Sequence, residues 1–508
     1  MAATSHPLAT KTALDILAAG GNAADAAIAA AVLLGLCEPQ MTGLGGDCFV
    51  LVKPAGSQQI HALNGSGRAP AAADPEALRA RGLTRMPADS VETVTIPGAV
   101  DAFCRLSEDY GLLGLDRVLA PAIRYAEEGI PVAPRVAFDW VEGAERLKGE
   151  ARHFFLDHGR PPAAGTLFRA PGQAEVLRRI AREGRDGFYR GEVAEDMLAA
   201  LRALGGVHSE ADFAETASDW GAPIRGRYRG WEIVEHPPNG QGATALLMAA
   251  ILEHFDIGAL DPLGAERAHL EAEAAALAYD ARDRFIADPA FTTRLDHMLA
   301  PETAARLAAL IDPERAMVDP HVASTEVHRE TVYLTVVDAD RMAVSMIYSI
   351  FHSFGSGIAS PRFGILFQNR GACFSLEPGH PNEYGPRKRP MHTIIPAMLC
   401  RDGRVVMPFG VMGGAYQPNG HVRLVSNLVD FGMGIQQAID APRSFRDGRT
   451  LQIERGYPAV VRARLARMGH DVQIPRAPIG GAQAIWIDES GVLVGGSDPR
   501  KDGCALGM

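Results

Sequence analysis

The chain has 508 residues, of which 47% are hydrophobic and 22% charged, and its formal net charge is −11. These fractions are typical of a globular protein and exclude a disordered chain. The net negative charge and the lack of any cluster of basic residues argue against a surface that binds the phosphate backbone, so we expect no nucleic-acid partner.

The N-terminal region is predicted to be helical. One helix is expected over about residues 7–19, before a Gly-Gly pair, and Asn22 can cap a second, Ala-rich helix that reaches about Leu36. The longest apolar run, residues 26–37, is shorter than the ~18 residues that cross a bilayer. We therefore expect a buried helix and no membrane contact. No basic stretch precedes this run, as a secretory signal would require.

Strands and further helices are predicted downstream. CFVLV and QQIHALN have the pattern of paired strands, DPEALRARG that of a helix capped by Asp74, and AERAHLEAEAAALAYDARDRF that of a long helix. A polar stretch, DPHVASTEVHRE, predicts an exposed linker. From Thr331 onward the predicted strands are TVYLTVVD, MAVSMIY, GILFQN, HTIIPAMLC, RVVMPFG, QAIWID and GVLVGG. The six cysteines are scattered and form no CxxC pair, which favours reduced thiols and a cytoplasmic location.

A hairpin about residues 339–341 carries the first chemical signal. If its strands pair so that Asp338 faces Met342, then Thr331 faces Ser349. Such a hydroxyl pair can simply stabilise a sheet. It can also serve catalysis, because a Thr at a chain terminus can use its own α-amine, with a pKa near ~7.7–8.0, as a base. That chemistry requires cleavage between Glu330 and Thr331.

Several motifs follow one another along almost the whole chain: ATKTALDILAAGGNAADAAIA, GLGGDCF, VTIPGAVDAF, HPPNGQGATAL, TVYLTVVDADRMAVS, KRPMHTIIP, GVMGGA and GGSDPRKDGCALG. With these motifs the chain resembles the γ-glutamyltransferase (γ-glutamyl transpeptidase) family of N-terminal-nucleophile hydrolases, whose proenzymes cut themselves before a Thr. The resemblance implies an α+β fold, a four-layer αββα sandwich with two antiparallel sheets between helical layers. It also implies a large (alpha) subunit, residues 1–330, and a small (beta) subunit, residues 331–508.

The resemblance assigns catalytic roles to particular residues. It places the nucleophile at Thr331, the hydroxyl that polarises it at Ser349, and the N–H groups of an oxyanion hole at Gly413 and Gly414. A tight turn is the alternative interpretation of the glycine pair. The resemblance implies no cofactor and no metal. The expected partners are a small-molecule amide and the cleaved subunit in an alpha/beta heterodimer, with a dimer of heterodimers as a further expectation.

The positions that hold a γ-glutamyl group in the family differ here. They correspond to Ser66 for an Arg, Phe351 for an Asn, Cys373 for an Asp, and His392 with Thr393 for a Ser-Ser pair. A zwitterion in this pocket would leave charged groups unpaired, which is costly on desolvation. Nearby, Arg68, Arg370 and His392 are candidates to bind a small carboxylate.

The sequence therefore predicts an amide-bond hydrolase or acyltransferase that processes a small acidic amide, or an acyl amide, through an acyl-enzyme on Thr331. Its branch is similar to oxamate amidohydrolase and related amidases and acylases. One alternative is a γ-glutamyltransferase or glutathione hydrolase, and another is a non-catalytic family member that acts as a binding protein. A dinucleotide loop at GLGGD is excluded, because Cys48 occupies the third glycine position. A metal-dependent hydrolase is not supported, because the sequence contains no HExxH-type ligand spacing.

Overall fold

The computed structural model describes residues 1–317 and 331–508, and it has an α+β fold. Within these ranges, the strands β1–β18 are, in chain order, Ala2–Thr4, Asp47–Lys53, His61–Gly65, Ile130–Pro131, Leu167–Phe168, Asp219–Gly221, Ile224–Tyr228, Trp231–Glu235, Val332–Val337, Ala343–Ser349, Ala397–Arg401, Arg404–Met412, Ser444–Asp447, Thr450–Ile453, Asp471–Gln473, Gly481–Ile487, Leu493–Ser497 and Cys504–Leu506. The helices α1–α18 are Pro7–Ala18, Ala23–Cys37, Pro75–Ala80, Ala99–Tyr110, Leu115–Glu128, Pro134–Gly143, Glu150–Phe155, Pro171–Glu183, Asp186–Tyr189, Gly191–Ala203, Glu210–Ala214, Gly242–Leu252, Ala265–Phe285, Leu295–Leu299, Pro301–Ala308, Gln417–Val429, Ile435–Asp440 and Ala459–Arg467.

Two large antiparallel sheets form the centre of the described structure. The first has seven strands in the order β18-β1-β9-β10-β2-β3-β6, and the second has six in the order β17-β16-β12-β11-β8-β7. Each sheet combines strands from before residue 318 with strands from after residue 330. The two parts of the chain are therefore interleaved through shared backbone hydrogen bonds.

The two sheets pack on one another and carry helices. Strands β9 and β10 contact β12 of the second sheet, α2 packs on β9 and β10, and α12 and α16 pack against the second sheet. Between the sheets lies a small apolar cluster of Phe49, Tyr333, Ile347, Ile394 and Met412. Burial of these side chains fixes the sheets face to face, because apolar area removed from water is the main favourable term in folding.

The helices begin where the sequence predicts. Asn22 caps α2 with its side chain, which accepts from the N–H groups of Ala24 and Asp25, and the Asp25 carboxylate accepts from the Asn22 N–H in return. This reciprocal capping box satisfies N–H groups that a helix start would otherwise leave unpaired. Helix α2 is then buried along its whole length, in keeping with its Ala-rich, apolar sequence. The residues that the structure describes include no helix long and apolar enough to cross a membrane.

The hairpin of β9 and β10 has the predicted register. Val337 lies opposite Ala343 and Val332 opposite Tyr348, so Thr331 and Ser349 come next along the two strands. On its other side, β10 pairs with β2, and there Ser349 lies opposite Asp47.

Two segments predicted as strands are built differently. GILFQN, residues 364–369, makes the isolated bridges Ala359–Leu366 and Gly45–Phe367 and is not part of a strand, and HTIIPAMLC becomes a strand at Ala397. In the HTII part, the Ile394 N–H donates to His392 Nδ1 at 3.4 Å and the Ile395 N–H to Gln417 Oε1 at 2.9 Å. The His392 backbone instead makes an isolated bridge with residues 239–241, so one bridge and two side chains satisfy the backbone there, where the sequence predicted a strand ladder. The expected linker DPHVASTEVHRE and the cleavage position at Glu330 lie outside the described residues.

A buried ion pair also joins the two parts of the chain. Arg446 pairs with Glu273, and their side chains are 4% and 0% exposed. Glu273 Oε2 accepts from the Met317 N–H at 2.9 Å, and Arg446 Nη2 donates to the Met317 carbonyl at 3.0 Å. Each charge is compensated by the other, so removal of one partner would leave a desolvated charge.

We expect Arg446→Met to lower the free energy of unfolding in urea by about 3–5 kcal/mol, because it leaves the Glu273 carboxylate buried without its cation. The double variant Glu273→Leu/Arg446→Met should recover most of that loss. Lys11→Met is the control, since Lys11 and Asp15 form an exposed pair and should contribute no measurable stability. A single variant as stable as the wild type would contradict the assignment.

Candidate active site

Thr331 and Ser349 form a buried hydroxyl pair at the open end of the β9–β10 hairpin. The Thr331 hydroxyl donates to Ser349 Oγ at 3.3 Å, and both residues are fully buried. Ser349 Oγ also accepts from the Phe351 N–H at 2.9 Å. The sequence-predicted nucleophile and its predicted helper are thus in contact, and a turn of backbone after β10 holds the helper in place.

Arg370 brings a positive charge to this pair. Its Nη2 donates to Ser349 Oγ at 3.3 Å and its Nη1 to Thr393 Oγ1 at 2.7 Å. The guanidinium lies 4.1 Å from the centre of the Phe351 ring. Arg370 is fully buried, forms no ion pair with a carboxylate of the described residues and hydrogen-bonds with the Cys373 side chain, while its Nε has no acceptor among these residues. Burial lowers its pKa, but a guanidinium remains charged at neutral pH.

Asp47, at the start of β2, is a site residue that the sequence analysis missed. Its Oδ1 accepts from the N–H groups of Gly67 at 2.9 Å and Gly98 at 3.2 Å, and from Gln368 Nε2 at 2.8 Å. Its Oδ2 lies 3.0 Å from His392 Nε2. Desolvation raises the pKa of Asp47 to about 6, although these hydrogen bonds and the nearby Arg370 oppose the shift. The signal in the sequence was an acid at the head of an otherwise apolar strand, DCFVLV.

His392 is neutral and has a defined tautomer. Its Nδ1 accepts from the Ile394 N–H, so its Nε2 carries the proton and donates to Asp47. Burial lowers the pKa of His392 well below its usual value, and the neighbouring Arg370 and His236 add to the effect. His392 therefore supplies a hydrogen bond to Asp47 and contributes no positive charge to the site.

Gly413 and Gly414 follow β12, and both have left-handed backbone, with φ of 134° and 58°. Met412, just before them, packs in the same apolar cluster as Tyr333, two residues after Thr331. Neither glycine N–H donates to another residue of the described ranges. The turn is held from behind by Gln241, whose Nε2 donates to the carbonyls of Gly414 at 3.0 Å and Thr393 at 2.6 Å. The HPPNGQG motif thus ties the glycine turn to the Thr393 loop.

The remaining predicted residues fall into two groups. Cys373 ends the short 3₁₀ turn that Arg370 begins; burial raises the pKa of its thiol, although Arg370 opposes this shift. Arg68 instead makes ion pairs with Asp288 at 3.2 Å and Asp219 at 3.7 Å. It lines a cavity of about 460 Å³ together with Trp220, His236 and Arg389. The structure therefore gathers Arg370, Cys373, Phe351, His392 and Thr393 around Ser349 and Asp47, and gives Arg68 other partners.

One buried group of side chains has the composition of a metal site. The ligand atoms of His269, Glu273 and His470 all lie within 4.8 Å of one another. They are already engaged: His269 Nδ1 and His470 Nε2 are 2.8 Å apart, and both Glu273 oxygens accept hydrogen bonds, one of them from the cation Arg446. This arrangement joins protein groups to one another, and the nearby guanidinium disfavours a second cation.

Comparison with known proteins gives a consistent result along the whole chain. The family described as Gamma-glutamyltranspeptidase matches residues 9–508. The Glutathione hydrolase-like YwrD proenzyme of Bacillus subtilis (strain 168) is 35% identical over 526 residues, covering 100% of this chain and 98% of the relative. The Oxamate amidohydrolase proenzyme of Klebsiella pneumoniae subsp. pneumoniae is 36% identical over 526 residues, with the same coverage. The crystal structure of cephalosporin acylase from Bacillus halodurans superposes with a TM-score of 0.92 at 40% identity, covering 99% of this chain and 94% of that one.

Ser349→Ala is expected to slow amide turnover by about 10–10²-fold, because it removes the oxygen that accepts from the Thr331 hydroxyl at the reacting centre. The measurement is the initial rate on an amide substrate, with circular dichroism to confirm the fold. Ser345→Ala is a matched control on the same strand, since Ser345 Oγ contacts the Tyr333 hydroxyl at 2.7 Å, away from Thr331. Equal rates for Ser349→Ala and the wild type would contradict the role of Ser349.

Proposed function

The chain belongs to the gamma-glutamyltranspeptidase family of amide-bond hydrolases, and from that premise we propose that it is a self-cleaving N-terminal-threonine amidohydrolase. Cleavage between Glu330 and Thr331 would give an alpha subunit, residues 1–330, and a beta subunit, residues 331–508. Together the two subunits would form the four-layer αββα sandwich predicted from the sequence. The interleaved strands of the two large sheets support lasting association of the two subunits as a heterodimer. A cytoplasmic location and a dimer of heterodimers remain predictions.

The contact between Thr331 and Ser349 carries this proposal. After cleavage, the Thr331 α-amine takes the proton of the Thr331 hydroxyl, and Oγ1 attacks the substrate carbonyl carbon. The carbonyl oxygen gains the negative charge, which the N–H groups of Gly413 and Gly414 stabilise. Collapse breaks the C–N bond, the amine leaves with the proton, and an acyl ester remains on Thr331. Water then attacks this ester, releases the acid and restores the hydroxyl.

Ser349 acts on the nucleophile without forming a covalent bond. Ser349 Oγ accepts a hydrogen bond from the Thr331 hydroxyl. Two further donors, the Phe351 N–H and Arg370 Nη2, hold Ser349 Oγ in place. A positioned acceptor orients the attacking oxygen and so lowers the entropic part of the barrier. A non-catalytic binding protein would not need this hydroxyl pair together with the Gly413–Gly414 turn.

Arg370 favours an acyl group with a negative charge. A buried guanidinium whose partners are two hydroxyls, the Cys373 thiol and an aromatic face favours a carboxylate, because charge-assisted hydrogen bonds are stronger in a desolvated setting. The oxamate amidohydrolase of Klebsiella pneumoniae, 36% identical to this chain, has such a substrate in its name. We therefore propose a small acidic amide as the acyl donor, with an uncharged acyl amide as the second candidate in view of the similar cephalosporin acylase.

A γ-glutamyl donor, as for a glutathione hydrolase, is the alternative that family membership favours. Its α-ammonium would need an acceptor, and the positions in question carry Phe351, Cys373 and His392. The family's amide and carboxylate are replaced here by Phe351 and Cys373. Loss of these two interactions, at about 1–3 kcal/mol each, corresponds to ~10²-fold or more weaker transition-state binding of a γ-glutamyl donor.

Cleavage is tested directly on the purified protein. Denaturing electrophoresis and mass spectrometry should show two fragments, the smaller beginning at Thr331, whereas Thr331→Ala should remain one chain because it lacks the attacking hydroxyl. An intact, active wild-type chain with no fragment beginning at Thr331 would remove the mechanism.

The substrate class is tested with a panel that contains oxamate, an aliphatic amide, a β-lactam acyl amide, γ-glutamyl-p-nitroanilide and glutathione. Arg370→Met should lower kcat/KM for oxamate relative to the aliphatic amide by about 10²-fold, since it removes the charge that pairs with the carboxylate. The ratio between substrates separates binding of the anion from any general loss of activity. Arg68→Met tests the other candidate arginine. If the ratio of oxamate to aliphatic amide turnover changes in Arg68→Met and not in Arg370→Met, Arg68 binds the substrate carboxylate. Efficient γ-glutamyl turnover with glutathione would instead favour the transpeptidase branch.

A further inference from the structure

Four loops from distant parts of the sequence converge on the carboxylate of Asp47. They contribute the Gly67 N–H, the Gly98 N–H, Gln368 Nε2 and His392 Nε2, at 2.8 to 3.2 Å. Asp47 itself is fully buried and lies opposite Ser349 across the β2–β10 pair. We infer that Asp47 is a positioning residue, which holds the walls of the site around Ser349 and Arg370 through this one carboxylate.

Two of these contacts lead to the guanidinium that binds Ser349. Gln368 is two residues before Arg370, and His392 directly precedes Thr393, the residue that accepts from Arg370 Nη1. Loss of the carboxylate would therefore release both segments that place the guanidinium. The Gly67 contact fixes the loop that contains Ser66, whose Oγ accepts from Asn239 Nδ2 at 2.9 Å.

The negative charge of Asp47 matters as well as its shape. Asp47 and Arg370 are electrostatic neighbours that stabilise each other's charged form, although no ion-pair contact joins them. A carboxylate accepts stronger hydrogen bonds than a neutral acid or amide. Protonation would weaken the contacts to the loops and leave Arg370 without a nearby counter-charge.

Among Asp47 and the ionisable groups that face it, Asp47 is the one that we expect to change its charge in the acidic range. His392 is held neutral, Arg370 is held positive, and burial raises the pKa of Cys48 on the same strand well above its usual value. Asp47, with a pKa of about 6, is thus ionised at pH 8 and protonated at pH 5. The other group that titrates in this reaction is the α-amine of the cleaved Thr331, near ~7.7–8.0.

The inference rests on the proposed function, since it assumes that the Thr331 amine is the base. Full activity then needs both the amine and Asp47 deprotonated, so log kcat/KM should rise with pH at a slope of one above about pH 6 and should steepen toward two in the one to two pH units below it. Asp47→Asn keeps the size and most hydrogen bonds but cannot ionise. It should lower kcat/KM by about 10–10²-fold at pH 8 through misplacement of the site, and its slope below pH 6 should be one.

Asp338→Asn is the matched control. Asp338 is a buried carboxylate at the turn end of the β9–β10 hairpin, away from Ser349, and accepts hydrogen bonds from the Ala23 and Met342 N–H groups at 3.0 and 2.9 Å. Its variant should lose stability and keep the steepening toward two. The same steepening in Asp47→Asn would overturn the inference and leave the nucleophile untouched, whereas an active Thr331→Ala variant would overturn the proposed function and the inference with it.

A second variant covers the case in which Asp47→Asn yields no mature protein. Gln368→Leu removes the hydrogen bond that most opposes the raised pKa of Asp47. It should move the lower break in the pH profile upward by about one pH unit. A lower break that stays in place would overturn the inference.

Discussion

The register of the β9–β10 hairpin is the constraint on which the site depends. Because Val332 lies opposite Tyr348, Thr331 and Ser349 meet at the end of the ladder, and a slip of one residue would turn one of the two side chains to the other face of the sheet. Strand β2 adds Asp47 opposite Ser349. Three neighbouring strands, two from one part of the chain and one from the other, thus place the proposed nucleophile, its proposed helper and a carboxylate before any loop contributes. Burial on both faces of the sheet makes this register hard to change.

Two buried charges of opposite sign organise the loops around these strands, and they do so without touching. Arg370 binds the hydroxyls of Ser349 and Thr393, while Asp47 binds backbone and side-chain N–H groups. Each charge is solvated by protein dipoles in place of water, which makes a buried ion tolerable. Because Arg370 forms no ion pair with Asp47, its guanidinium keeps donor capacity that a direct Arg–Asp pair would have used.

The sequence predicted the elements whose signals are local. Caps at Asn22 and Asp74, the limits of the helix Ala265–Phe285 and the register of the hairpin all follow from patterns within a few residues of one another. The errors have a common cause in long-range pairing. GILFQN has the composition of a strand, yet its backbone groups find separate partners at Ala359 and Gly45. The acid at the head of the apolar strand DCFVLV is a weak local signal for Asp47, and its partners, which lie 20 to 345 residues away, could not be predicted from it. Arg68 is a different case: it stays a predicted anion-binding residue, and in the structure it pairs with Asp288 and Asp219.

The charges of Arg370 and Asp47 also affect which acyl group the site can bind, an anionic one or a zwitterionic one. A substrate carboxylate can approach Arg370, whose Nε still lacks an acceptor among the described residues. An ammonium group would need an acceptor of comparable strength. The carboxylate of Asp47 is fully buried and already accepts from four donors, and burial raises the pKa of the Cys373 thiol, which disfavours a thiolate there. The Phe351 ring, which could bind a cation through its face, has the Arg370 guanidinium 4.1 Å from its centre. Desolvation of an ammonium would therefore find little compensation beside Arg370, which is why we propose an acyl group that carries a carboxylate without an amine.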